Sequence, residues 1–155
     1  MERPASGSKA NTPISILCVE PAPGECEALQ SILGASAPPG AAWQVLASPS
    51  IRAAMPAVKR WRPPVVVCDS QPATGTWQEL LGAVTDLPDP PLLILTSRLA
   101  DERLWAEALN LGVHDVLAKP YEKTEVAWVM NAALRYWERR KPSQQSKALV
   151  LRAAW

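Results

Sequence analysis

Pro63-Pro-Val-Val-Val-Cys-Asp69 is the stretch that decides how the chain is read. The proline pair ends whatever element precedes it, because proline removes a backbone donor and restricts the residue before it. Val65 to Cys68 is then an unbroken apolar run. A strand with one wet face alternates apolar and polar residues. A strand covered on both faces does not, so this run reads as an interior strand of a parallel sheet. An acid, Asp69, follows it at once.

The same grammar extends in both directions. Leu92-Leu-Ile-Leu95 is a second buried run, set off by the break from Pro88 to Pro91. Ile14 to Val19 and Trp43 to Ala47 read as strands on the N-terminal side, and Val113 to Ala118 as a weaker one on the C-terminal side. Helical spacing fills the gaps. Gly24 to Gly34 carries Cys26, Leu29, Ile32 and Leu33 at that spacing, and the Pro-rich Ala35 to Ala42 follows as a loop. Ser48 or Ser50 can cap a helix running to Trp61, with Pro56 expected to kink it or to fall in its first turn. Thr76 to Leu87 and Ala100 to Leu111 are the next two helices, the latter stopped by Gly112. The last runs from Glu122 to Arg140, with Val126, Val129, Met130, Ala133, Leu134 and Trp137 as its apolar stripe. Strands alternating with helices in this way predict a parallel sheet covered on both faces.

Composition bounds the rest. The chain has 155 residues, enough for one domain with a real core, and 48% of them are apolar, as a folded domain requires. A formal net charge of +1 gives no reason to expect a nucleic-acid partner. No apolar run reaches the ~18 residues of a membrane span, and Met1 to Pro13 lacks the apolar stretch of a signal peptide. The cytoplasm is the expected compartment. Cys18, Cys26 and Cys68 lack the paired spacing of a disulfide framework or zinc site and read as reduced apolar thiols. His114 is assigned no role. The division that follows is a tail over 1–12, one domain over 13–140 and a flexible tail over 141–155.

Parallel α/β sheets collect chemistry at the carboxyl ends of their strands. Those positions here hold Glu20, Asp69, Thr96-Ser97 and Lys119-Pro120. Two acids, a hydroxyl and a lysine converging in one crevice would suit a carboxylate that accepts a phosphoryl group. Asp69 would attack phosphorus, while Lys119 and the Thr96 hydroxyl would hold the oxygens on which charge develops. The blander readings are a turn cap for Asp69, a helix cap for Thr96, and a structural Asp69–Lys119 pair.

Val-Val-Val-Cys-Asp69, Leu-Ile-Leu-Thr96-Ser97 and Gly112-Val-His-Asp-Val-Leu-Ala-Lys119-Pro120 resemble three ordered motifs of the bacterial response-regulator receiver family, and Ile-Leu-Cys-Val-Glu20 resembles the first motif. The resemblance covers about residues 14–140. It implies a flavodoxin-like (βα)5 fold, a three-layer sandwich with strand order 2-1-3-4-5. It implies phosphorylation of Asp69 by a histidine kinase or phosphotransfer protein, and a phosphoacceptor rather than an enzyme, beyond loss of its own phosphoryl group. It also implies a magnesium ion held by Glu20, Asp69 and the Gln71 carbonyl.

The chain departs from that pattern at several places. The family carries two adjacent acids after its first strand, whereas Glu20 is followed here by Pro21, which has no side-chain oxygen. Magnesium is therefore expected to bind weakly. Val116 stands where an aromatic ring often reports phosphorylation, Pro72 comes one residue early, and Trp77 replaces a common glycine.

The chain has seven tryptophans and no phenylalanine. Trp43, Trp61 and Trp137 fall on core-facing patterns. Trp128 lies about 200° around the last helix from Val126, and Trp105 is ambiguous, so both are candidate interface anchors. The surface expected to meet a downstream partner or a second copy is that of the fourth helix, fifth strand and fifth helix. The basic run Arg135, Arg139, Arg140 and Lys141 reads as a solvated helix end.

The leading expectation is a stand-alone receiver that accepts a phosphoryl group on Asp69 and signals through a protein interface, with neither nucleic acid nor membrane as a direct partner. The alternative is a phosphorylation-independent pseudo-receiver that works as an interaction module. A nucleotide-binding enzyme is disfavoured, since Glu20-Pro-Ala-Pro23-Gly24 lacks a phosphate loop's glycine pattern.

Overall fold

The computed structural model describes residues 12–154, with side chains over 13–140. The elements, in chain order, are β1 (Thr12–Val19), α1 (Glu25–Gly34), β2 (Ala41–Ser48), α2 (Ile51–Trp61), β3 (Val65–Asp69), α3 (Trp77–Thr85), β4 (Leu92–Ser97), α4 (Glu102–Leu111), β5 (Asp115–Ala118) and α5 (Lys123–Ala154). The strands form one parallel sheet in the order β2-β1-β3-β4-β5. This is the flavodoxin-like order expected from the sequence.

Both faces of the sheet are covered. On one, Ile16, Cys18, Val65, Val67, Ile94 and Leu117 pack with Leu29 and Leu33 of α1 and with Val126, Met130 and Leu134 of α5. On the other, Leu17, Val66, Cys68, Leu93, Leu95 and Val116 pack with α2, α3 and Ala108 of α4. Neighbouring positions along β3 and β4 thus serve opposite layers, and every residue of β4 is buried. That is the physical reason their sequences show no alternation.

Local signals set the helix boundaries. The Ser50 hydroxyl accepts the Ala53 N–H at the start of α2. Thr76 and Glu79 form a reciprocal capping box at the start of α3. Gly112 ends α4 at φ 110°, a left-handed conformation that glycine adopts without penalty. Pro56 lies in the second turn of α2, beyond the first turn that the sequence allowed it, and leaves the Arg52 carbonyl without the donor a non-proline residue would supply.

Two expectations change. Trp61 is 47% exposed rather than core, because it is the last residue of α2 and its ring lies under the Arg60 guanidinium, 4.9 Å away. Trp43 is buried, and Trp137 packs against the edge of the first core layer. The backbone of α5 continues to Ala154, past Arg140, where the sequence reading ended the last helix. Ala148, Leu149, Leu151 and Arg152 are strong helix formers, and they carry the helix beyond Pro142. Of the expected N-terminal tail, 1–11 lies outside the described residues, as does Trp155; Thr12 opens β1. No helix among the described residues is long and apolar enough to cross a membrane.

Candidate functional site

Register brings the strand-end residues to one rim. Asp69 is paired with Thr96 across β3 and β4, and Ser97 with Ala118 across β4 and β5. Lys119 follows β5 immediately, its backbone N–H donating to the Ser97 carbonyl at 2.9 Å. The Lys119–Pro120 peptide bond is cis. The Lys119 ammonium donates to Asp69 Oδ2 at 3.1 Å. Asp69 Oδ1 accepts the Gln71 N–H at 2.9 Å, which folds the chain after β3 into a turn over the carboxylate. The Asp69 side chain stays one-third exposed and faces an open crevice of about 850 Å³, lined also by Glu20, Ser97, Arg98 and Lys119. Asp69 and Lys119 are therefore in contact, and Thr96 lies one strand away.

Thr96 is fully buried, and its hydroxyl makes no hydrogen bond of good geometry; the Tyr121 phenol lies beside it. Glu20 is at the crevice but turned across it. Its carboxylate accepts the backbone N–H groups of Ala73 at 2.7 Å and Thr74 at 2.9 Å, together with the Thr74 hydroxyl. Partial burial opposes ionisation of Glu20, yet these bonds prevail and hold its carboxyl below the usual range. Glu20 has a φ of 53°, a left-handed conformation unfavourable for a residue with a Cβ, and the bonds to the loop hold it there.

Sequence reasoning missed Glu25. It is the first residue of α1, and its side chain is only 8% exposed. One oxygen accepts the Ala22 N–H at 2.9 Å and lies 3.4 Å from the Lys119 ammonium, and the other accepts the Tyr121 hydroxyl. Burial, followed by the Glu25 hydrogen bond and charge, pushes the Tyr121 phenol far above its ordinary value. The available signals were an acid at a helix start after β1 and a tyrosine just beyond Lys119-Pro120. Neither spacing alone brings the two together.

These positions bear on the expected magnesium ion. Glu20 is engaged by the loop before α3, Pro21 offers no oxygen, and Glu25 is engaged by Lys119 and Tyr121. Among the described residues, no three His, Cys, Asp or Glu side chains converge as a metal site. The Glu20, Asp69 and Gln71 set is thus not assembled as a cage, and the residues present do not fit a preformed magnesium site.

Elsewhere, Cys18 and Cys68 are buried free thiols and Cys26 is half-buried. Burial pushes the Cys68 thiol up to about 12, so it behaves as a neutral, unreactive group. His114 packs against Tyr136 with ring centroids 5.4 Å apart and planes tilted by 47°, and burial lowers its basicity. Trp105 and Trp128 are exposed, but on different surfaces. Trp105 lies on α4, whereas Trp128 lines a crevice with Ser31, Ile32 and Ala35 on the α1 side of α5.

Comparison with solved structures places this architecture. A CheY-like receiver domain protein from Methanospirillum hungatei JF-1 superposes with a TM-score of 0.68 at 16% identity, covering 83% of this chain and 99% of its own. The signal receiver domain of an HD domain-containing protein from Pseudomonas fluorescens Pf-5 gives a TM-score of 0.67 at 19% identity, over 83% of this chain and 99% of its own. The chain has the fold of a response-regulator receiver domain. A receiver domain protein from Clostridium thermocellum gives 0.66 at 16% identity, over 83% and 97% of the two chains. In sequence, this receiver-fold chain is 32% identical over 76 residues to a protein-glutamate methylesterase/protein-glutamine glutaminase from Desulfotalea psychrophila. That match spans 48% of the chain and only 21% of the longer relative. No family model matches.

Proposed function

We propose that the chain is a receiver in two-component signalling, that Asp69 is its phosphoacceptor, and that it signals by contact with another protein. The supporting observation is the Lys119 ammonium, 3.1 Å from an Asp69 carboxylate that is still open to the crevice. An Asp69 oxygen attacks the phosphorus of a phosphohistidine or acyl phosphate, the bond to the donor's nitrogen or oxygen breaks, and an aspartyl phosphate forms. Lys119 neutralises charge on the phosphoryl oxygens, which is where an electrostatic contact contributes most. Thr96, paired with Asp69 across the strands, would supply its now buried hydroxyl to the same oxygens.

Magnesium enters the proposal only as a weakly held ion with Asp69 and the Gln71 carbonyl as its ligands, and no step is routed through it. The donor is a histidine kinase or phosphotransfer protein, and the compartment is the cytoplasm. Output runs through the α4 surface, where Trp105 and Leu109 are exposed one helical turn apart. In this reading the chain acts alone, as a switch and not as an enzyme with a substrate of its own.

The bonds of Glu20 to Ala73 and Thr74 favour a second reading, a phosphorylation-independent interaction module. They withdraw the carboxylate that would otherwise help to hold a cation. Beryllofluoride with millimolar magnesium, followed by tryptophan fluorescence, separates the two. A saturable change absent from Asp69→Ala supports the phosphoacceptor. No change in the unaltered protein supports the interaction module.

A further inference from the structure

Two carboxylates share one ammonium at the base of the crevice. Lys119 Nζ lies 3.1 Å from Asp69 Oδ2 and 3.4 Å from Glu25 Oε1. The two acids differ in setting. The Asp69 side chain is 33% exposed, whereas that of Glu25 is 8% exposed, so the pair with Glu25 is the less screened by water. Glu25 is also the first residue of α1, where the helix dipole favours a negative charge. Its remaining bonds go to the Ala22 N–H and the Tyr121 hydroxyl. Tyr121 in turn packs against the core layer that holds Leu29 and Leu33 of α1 and Val126 of α5.

We propose that Glu25 is a positioning residue that divides Lys119 between itself and Asp69, and so passes a change of charge on Asp69 through Lys119 to the Tyr121 phenol. The proposal rests on Asp69 being the reactive carboxylate. A phosphoryl group raises the negative charge on that side chain to roughly two units and draws Lys119 toward it. Glu25 is then left in a poorly hydrated position with less of its cation. An uncompensated carboxylate there is costly, so Glu25 leans harder on its remaining side-chain donor, the Tyr121 hydroxyl. Removing the charge of Asp69 does the reverse. Lys119 settles on Glu25, and the bond from Tyr121 weakens. Val116 has no ring to move, and in this arrangement Tyr121 reports the state of Asp69 toward the α1 and α5 layer.

The test uses a fixed change of charge, so it can be read whether or not phosphoryl transfer occurs. The full chain is labelled with tyrosine carrying 13C at Cζ, the carbon bonded to the hydroxyl, in a Tyr136→Phe background that leaves Tyr121 as the single tyrosine. The Cζ resonance is compared for Asp69 and Asp69→Asn, first with Glu25 present and then with Glu25→Gln. Asp69→Asn is expected to move the resonance when Glu25 is present, and by less than half as much in Glu25→Gln. Glu25→Asp keeps the charge but retracts the carboxylate by one methylene, and is expected to behave like Glu25→Gln; it carries the comparison if the amide variant does not fold. Lys119→Gln, which removes the middle of the relay, is expected to abolish the response. An Asp69→Asn shift of equal size with and without Glu25, or no shift in the protein that retains Glu25, would overturn the proposal.

Discussion

Glu20, at the end of β1, accepts a hydrogen bond from the Thr74 backbone N–H at 2.9 Å and another from the Thr74 hydroxyl, tying the first strand to the loop that precedes α3. The contact joins residues 54 positions apart and fixes one wall of the crevice in front of Asp69. These bonds hold the Glu20 carboxyl below its ordinary value of 4.5 against the opposing effect of partial burial. A carboxyl depressed in the folded state contributes stability that is present above its unfolded value and lost as pH falls through the folded one. Glu20→Gln is therefore expected to lower stability at neutral pH by about 1 kcal/mol, discounted for solvent screening. The difference from the unaltered protein should shrink as pH falls through the lowered Glu20 value, where the Glu20 carboxyl also becomes protonated. Urea unfolding at a series of pH values measures both.

Pro21 removes the oxygen that a cation would need beside Glu20. Pro21→Asp adds a second carboxylate next to Glu20. Hard divalent cations bind more tightly as carboxylate oxygens are added. The variant is expected to bind magnesium about tenfold more tightly, since the number of charged ligands tunes affinity over decades. A magnesium titration followed by tryptophan fluorescence checks it, and equal affinity in the two proteins would contradict the account of why the site lacks a cage.

Leu80 and Thr76 belong to the same helix but contribute by different means. Leu80 is fully buried in the layer that joins α3 to β3 and β4, so Leu80→Ala is expected to cost about 2–5 kcal/mol through lost burial and a residual cavity. Thr76 caps α3 from an exposed position, and Thr76→Ala should cost only about 1 kcal/mol. Denaturant midpoints at a constant slope distinguish the two magnitudes, and an equal cost would mean that the helix is held by its cap rather than by the core.

The strands were legible because burial on both faces imposes a pattern within a few residues: Val65 to Cys68 and Leu92 to Leu95 need no distant information to be read. Gly112 and Ser50 acted locally as well, and they fixed helix ends close to where the sequence put them. The proximity of Asp69 to Lys119 followed from topology, since residues just past β3 and β5 reach the same rim. What sequence did not carry was the direction in which side chains turn once there. Glu20 faces Thr74 because its backbone adopts a positive φ, and Glu25 reaches Lys119 because α1 begins at the crevice. Trp61 has the spacing of a core residue, yet it is the last residue of α2 and stays exposed against Arg60. Lys141 to Ala154 reads as a polar tail, but the helix-forming residues after Pro142 sustain the backbone of α5.

We propose that Asp69 takes a phosphoryl group within reach of Lys119. Intact-mass spectrometry after incubation with acetyl phosphate and magnesium tests it most directly. The unaltered protein should gain the mass of one phosphoryl group, with no gain in Asp69→Ala and a strongly slowed gain in Lys119→Ala. An unaltered mass at every magnesium concentration, or a gain that survives Asp69→Ala, would contradict it.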